Sequence, residues 1–534
     1  MKKLMYSFLL LLFFAACEQE VIDLQPAEVI EPTPACPAGS SAGSADFSKF
    51  VALGTSYTAG FQAGALFNEG QNNSLGKILS TQFACVGGGA FNQPSINSEN
   101  GYNIFITPNP MGTTVLGRFR LQGTPPAPAP VVAGVDAIPN PMANPGFMYT
   151  GDKAALNNFS VEAILLAQIL TPNAGNWGNP NPAVGFTPFY ARFASAPGTS
   201  TILGDAIVAD PTFILFWMGM DDYLLHAAFG GDPTKAPLTP IEGGIGTGFT
   251  STYGAAIGNI LASDANLKGV VANFPSVFAL PHFTSIPYNP VPMSEAEATT
   301  ANTGYGGYNQ ILEALKGPPF SMPAAEVDAR KISFAAGANA FVIVDKTLND
   351  LGDEFDMLLG GGAISAEQRA ALAPLEQVRQ TKQGDIIPLS TGTVLGKRAD
   401  PENAASIMGV AVPLGDQYAL IPTEIAAIEA ARMGYNAAIA AVAETYSTRL
   451  ALADINGQMN ILLTNRAAVA NNVTITPNIN PPTGIYSEDG IHPNSRGYAF
   501  VANIIIDAVN AKFGASIPKA NLSLYGATGL PITN

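Results

Sequence analysis

Four short apolar runs, each ended by a glycine or a polar residue, constrain this chain most. They are Phe50-Val51-Ala52-Leu53 before Gly54, Pro211 to Gly219, Gly269 to Phe274, and Leu450 to Ile455. Continuous apolar runs of this length suit strands buried on both faces. Helical patterns stand near 252–263 and from Thr423 onward. In the latter, Ile425, Ile428, Tyr435, Ile439, Val442 and Tyr446 mark one face. A last helix carries Tyr498, Val501, Ile505 and Val509. Strands alternating with helices predict an α/β fold with a mostly parallel sheet covered on both sides.

The rest of the chain is read around that frame. A capped helix start is expected at Ser74-Leu75, and a helix over 158–170 with Val161, Ile164, Leu165 and Ile169 on one face. Residues 86–150 read as a long loop insertion. Residues 290–420 read as a second insertion over the sheet edge, with a strand near Phe341–Val344, a capping box at Ser365 and the part of a lid or cap. Residues 47–515 form the domain, and 516–534 a C-terminal tail. No internal repeat is evident.

The 534 residues are 47% apolar and 12% charged, which supports a large core. The formal charge is -16, and no basic run occurs beyond Lys2-Lys3, which disfavours a nucleic-acid partner. Lys2 and Lys3 precede an apolar run from Leu4 to Ala16, too short to span a bilayer and built like a secretory signal. It ends Ala15-Ala16-Cys17, which resembles the bacterial lipobox. The expectation is a signal peptide over 1–16, lipidation at Cys17, a linker to residue 46, and anchoring in the bacterial cell envelope at the outer membrane. An ordinary signal cut near Ala16 is the alternative. Cys36 and Cys85 are left as candidates for a disulfide.

Two segments carry groups suited to nucleophilic chemistry. Ser56 follows Gly54, where a strand that stops abruptly lifts a side chain to the carboxyl edge of the sheet. Glu488-Asp489-Gly490-Ile491-His492-Pro493 supplies a carboxylate and one of only three histidines in the chain. Serine, imidazole and carboxylate are the parts of a proton-relaying triad. Read alone, Asp489 better fits a cap of the last helix and His492 a surface position. His226 and His282 read as structural or pocket-lining. Tyr57, Phe61, Phe67 and Trp217 suit either the core or an acyl pocket. Neither metal-ligand spacing nor a phosphate-cradling glycine motif is present, so no cofactor is expected.

Taken together, Gly54-Thr55-Ser56-Tyr57-Thr58-Ala59-Gly60, Gly219-Met220-Asp221-Asp222 and Asp489-Gly490-Ile491-His492-Pro493 resemble three blocks of the GDSL family, the SGNH hydrolases. The resemblance implies a flavodoxin-like α/β/α sandwich. It also implies Ser56 as nucleophile, His492 as general base, Asp489 as its orienter, and an oxyanion hole shared by Ser56, Ser160 and Asp221. The chain departs from the family at Thr55, at Ser160 in a glycine place, and at Asp221 in an asparagine place. An ionised Asp221 repels an oxyanion, and only its protonated form donates a hydrogen bond. The implied activity is that of a lipase- or esterase-like carboxylic ester hydrolase, acting on lipid or other acyl esters through an acyl-enzyme on Ser56. The alternatives are a carbohydrate O-acetyl esterase with the same triad, and a binding lipoprotein with weakened chemistry.

Overall fold

The first apolar run is strand β1 (Phe50–Gly54), with every residue buried. Strands β2 (Phe213–Trp217), β3 (Lys268–Ala272) and β4 (Leu450–Ala453) follow it in the order β1-β2-β3-β4. All three pairings are parallel, and Gly54 lies level with Trp217. The computed structural model describes residues 36–103, 116–123, 127–131 and 148–528. Those residues belong to one unit, Pro34–Asn534. The signal segment, Cys17 and the linker as far as residue 35 lie outside the described residues.

A further segment extends the sheet beyond β1. The Ala52 N–H donates to Asn157 O over 2.8 Å, the Phe159 N–H to Ala52 O over 2.9 Å, and the Val161 N–H to Gly54 O over 3.1 Å. In chain order the sheet therefore runs 2-1-3-4-5, the flavodoxin-like arrangement, whose switch point lies beside β1. This corrects the helix expected over 158–170. The N–H groups of Ile164 and Leu166 are taken by side-chain oxygens of Asp221 and Asp222, and Ala163 has φ +48°. Backbone donors engaged in that way cannot close helical turns. Only a 3₁₀ turn at Leu166–Leu170 remains.

Short helix α1 (Ser56–Ala59) leaves β1 directly, and α2 (Leu75–Phe83) follows with Ser74 as its cap. Helices α3 (Asp221–Ala228), α4 (Phe249–Ser263) and α5 (Pro281–Thr284) come next. Helices α6 (Pro422–Thr445) and α7 (Ser495–Phe513) complete the frame. Helices α2 and α7 pack together on one face of the sheet, α4 and α6 on the other. On α7 the residues Tyr498, Val501, Ile505 and Val509 are all buried, as their spacing predicts.

The two insertions contain more structure than loops. Phe119–Gln122 and Ala127–Pro130 pair as an antiparallel ribbon inside the first. In the second, Val291–Met293 pairs with Gly337–Asn339 and Val342–Val344 with Val378–Gln380. Its apolar clusters, one built on Tyr305, Leu312, Val327 and Phe355, are separate from the main core. Ser365 forms the expected capping box with Gln368. Cys36 and Cys85 are joined in a disulfide. The residues expected to form a C-terminal tail instead pack down: Ile517, Ala520, Leu522 and Tyr525 are buried in the main core. The reason lies on α7, where the Asn503 and Asn510 side chains bond the backbone of Ala520 and Ile517.

Candidate active site

Gly54 closes β1 because nothing larger fits. A Cβ there would run into the Thr58 side chain and lie 3.1 Å from Trp217 O. The chain then turns into α1, whose first residue is Ser56. From the other end of the chain, the loop 487–493 reaches the same place. Gly490 takes φ +71°, a conformation suited to glycine, and a Cβ on it would lie 2.8 Å from His282 N.

The two segments meet. Ser56 Oγ lies 2.9 Å from His492 Nε2, and His492 Nδ1 lies 2.9 Å from Asp489 Oδ2. Asp489 Oδ1 accepts the N–H groups of Ile491 and His492, each over 2.8 Å. Oδ2 also accepts the Gly64 N–H over 2.8 Å. Burial alone would raise the Asp489 pKa, but His492 and these backbone donors outweigh it and hold the carboxyl below its ordinary value. An ionised Asp489 keeps the proton of the neutral imidazole on Nδ1, leaving Nε2 to accept from Ser56.

The surroundings lock the imidazole. The Phe61 and Tyr57 rings lie 4.8 and 5.2 Å from that of His492. The Tyr57 hydroxyl donates to Ile491 O over 2.6 Å, and the Tyr498 hydroxyl to Phe61 O over 2.6 Å. The Ser487 hydroxyl accepts from the Ala63 N–H over 2.9 Å and donates to His492 O over 3.0 Å. Ser56, Asp489 and His492 are each only 4% exposed, so the relay is shielded from bulk water. Trp217 packs edge-on to Tyr57, while Phe67 lies under the Arg118 guanidinium.

The three residues expected to share an oxyanion hole differ in state. The Ser56 N–H is at the start of a helix, where no intrahelical acceptor exists. Asp221 begins α3 at the end of β2, buried, with Oδ2 accepting from the Ile164 N–H over 3.1 Å. Burial, then the neighbouring charges of Asp222 and Glu162, push its pKa up to about 8, so it is protonated at neutral pH. The Ser160 N–H is not presented to an oxyanion. It donates to Asn158 Oδ1 over 3.1 Å, closing an Asx turn.

The other two histidines lie outside the relay. His226 Nδ1 is 2.6 Å from Ala236 O. His282 braces the acid loop: its N–H donates to Gly490 O over 2.9 Å, and its Nδ1 lies 3.3 Å from Asp489 O. Sequence reasoning missed this bracing, the Gly64 donor and the buried pair Glu162 and Arg192. Glu162 had one legible signal, an acid isolated in an apolar stretch. Among the described residues no group of His, Cys, Asp and Glu could hold a metal ion, and no helix is long and apolar enough to cross a membrane. No family model, curated protein or solved structure compared with this chain matches it.

Proposed function

We propose that this chain is a serine carboxylic ester hydrolase of the SGNH type. The observation that carries the reading is the line from Ser56 Oγ through His492 to Asp489, with both links at 2.9 Å. In the reaction, Ser56 Oγ attacks the ester carbonyl while its proton passes to His492 Nε2. The imidazolium, held by Asp489, returns that proton to the leaving alcohol. Water then attacks the acyl-Ser56, losing a proton to His492, which passes it to the leaving Ser56 Oγ as the acid is released. The Ser56 N–H and the protonated Asp221 carboxyl stabilise the oxyanion. Ser160 contributes only once its N–H leaves Asn158.

The test is hydrolysis of p-nitrophenyl esters of short and long acids by wild type and Ser56→Ala. A loss of at least about a thousandfold in the variant is expected. Activity that survives the substitution would remove Ser56 from the mechanism. The engaged Ser160 N–H favours a second reading, a binding lipoprotein, which predicts ligand retention without turnover by the wild type. The Leu4–Ala16 run and Cys17 support attachment to a bacterial outer membrane. Incorporation of labelled palmitate into wild type but not Cys17→Ala is the expected result, and equal labelling would refute it.

A further inference from the structure

A small, partly open cavity adjoins the helix that carries Ser56. It is lined by Asn158, Ser160, Glu162, Phe189, Arg192 and Phe193, and is closed on one side by Ala59, one turn along α1 from Ser56. Its interior admits a group about the size of one water. Glu162 is 3% exposed and Ser160 5%. Glu162 Oε1 and Ser160 Oγ have no hydrogen-bond partner among the described residues. Two polar atoms left unmatched at such depth are costly, so the cavity is built to receive a hydrogen-bonding group.

Its position ties it to the reaction. The segment carrying Ser160 and Glu162 runs beside β1, and the Val161 N–H between them donates to Gly54 O. Glu162 also acts electrostatically on Asp221. Arg192 faces the same space with its guanidinium fixed on Pro94 O and Ser95 O. The carboxyl of Glu162 is itself raised to about 7 by burial, against the pull of Arg192, so it both accepts and donates near neutral pH.

We propose that this cavity is a subsite for a hydroxyl of the substrate's alcohol portion, so that the preferred ester is carried by a polyhydroxy molecule such as a sugar. The inference rests on the hydrolase reading. The acyl chain of a simple ester has no group for Glu162 and Ser160 to bond, whereas a hydroxyl beside the scissile ester offers both a donor and an acceptor. A site built to bond a hydroxyl discriminates strongly against substrates that lack one.

The experiment compares kcat/KM for a methyl xyloside bearing one acetyl ester with that for p-nitrophenyl acetate, in the full-length wild type and in Glu162→Gln. The ratio of the two is the readout, because changes that reach Ser56 or Asp221 affect both esters alike. The ratio is expected to fall about tenfold, the loss of one hydrogen bond to a charged group. Ser160→Ala, a smaller change that keeps the backbone N–H, is expected to lower the ratio in the same direction and serves where Glu162→Gln does not fold. An unchanged ratio in the folded variants, with hydrolysis still dependent on Ser56, means that the cavity holds an internal water only and overturns the subsite alone. No Ser56-dependent hydrolysis of either ester overturns the hydrolase reading and the subsite with it.

Discussion

Gly64 donates its backbone N–H to Asp489 Oδ2 over 2.8 Å, and the same oxygen receives His492 Nδ1. The stretch that follows Ser56 therefore fixes the carboxyl that holds His492, although Gly64 and Asp489 lie 425 positions apart. Asp489 needs a full set of acceptor lone pairs to serve Gly64, Ile491 and the backbone and ring of His492 together.

Asp489→Asn tests that demand. An amide beside Nδ1 favours the wrong tautomer, so kcat for ester hydrolysis is expected to fall about 10³–10⁴-fold. The pH dependence of stability should change as well. The folded carboxyl titrates below its ordinary 3.8, so its contribution is present above that pH and lost on acidification through the lower folded value. Melting curves from pH 6 to pH 3 should show a shallower acid decline in the variant, and an unaltered kcat would contradict the role.

Asp221 titrates in the opposite sense. Its folded pKa of about 8 lies above the ordinary 3.8, so between those values the folded chain holds a proton that the unfolded chain has released. Stability therefore falls as pH rises through that window. Asp221→Asn is expected to raise stability at pH 8 by more than about 1 kcal/mol, since one pKa unit corresponds to roughly that much. It should also keep or raise the esterase rate at neutral pH. The wild-type rate is expected to decline as pH passes about 8, and the variant should lack that decline. A large rate loss near pH 7 would contradict the protonated-donor role.

His282 adds a window of its own. Burial lowers its folded pKa to about 4 from 6.5, so the unfolded chain binds the extra proton between these values. Its contribution to stability is full above 6.5 and lost as pH falls toward 4. His282→Gln cannot titrate there, and its melting temperature should vary less than that of the wild type between pH 6.5 and pH 4.

The second insertion is held by a buried ion cluster. Arg379 bonds Asp345 over 2.6 Å and Asp385 over 2.6 and 3.0 Å. Arg379→Met leaves two carboxylates without their cation and is expected to cost about 3–5 kcal/mol. Hydrogen exchange should rise within 290–420 first, because that region has its own apolar clusters.

The central sheet was legible because parallel strands buried on both faces are written as unbroken apolar runs. Ser56 was legible because a glycine ends its strand, and His492 because histidine is scarce. The edge segment at 157–161 was not. Its apolar residues happen to repeat at helical spacing, but its backbone pairs with β1, and the N–H groups of Ile164 and Leu166 just beyond it are held by the Asp221 and Asp222 side chains, more than fifty positions away. Gly64 left no trace because its contribution is a backbone N–H. The Asx turn that occupies Ser160 depends on the rotamer of Asn158, which no spacing encodes. The pairs in 290–420 are strands of three residues, too short for a period of two to register.

Covalent trapping tests the relay most directly. Wild type treated with an alkyl fluorophosphonate, then digested and mapped by mass spectrometry, should carry a single phosphonyl group on Ser56. Labelling should be absent in Ser56→Ala and greatly slowed in His492→Ala. A wild type that hydrolyses esters while Ser56 stays unlabelled, or that is labelled equally fast without His492, would contradict the account.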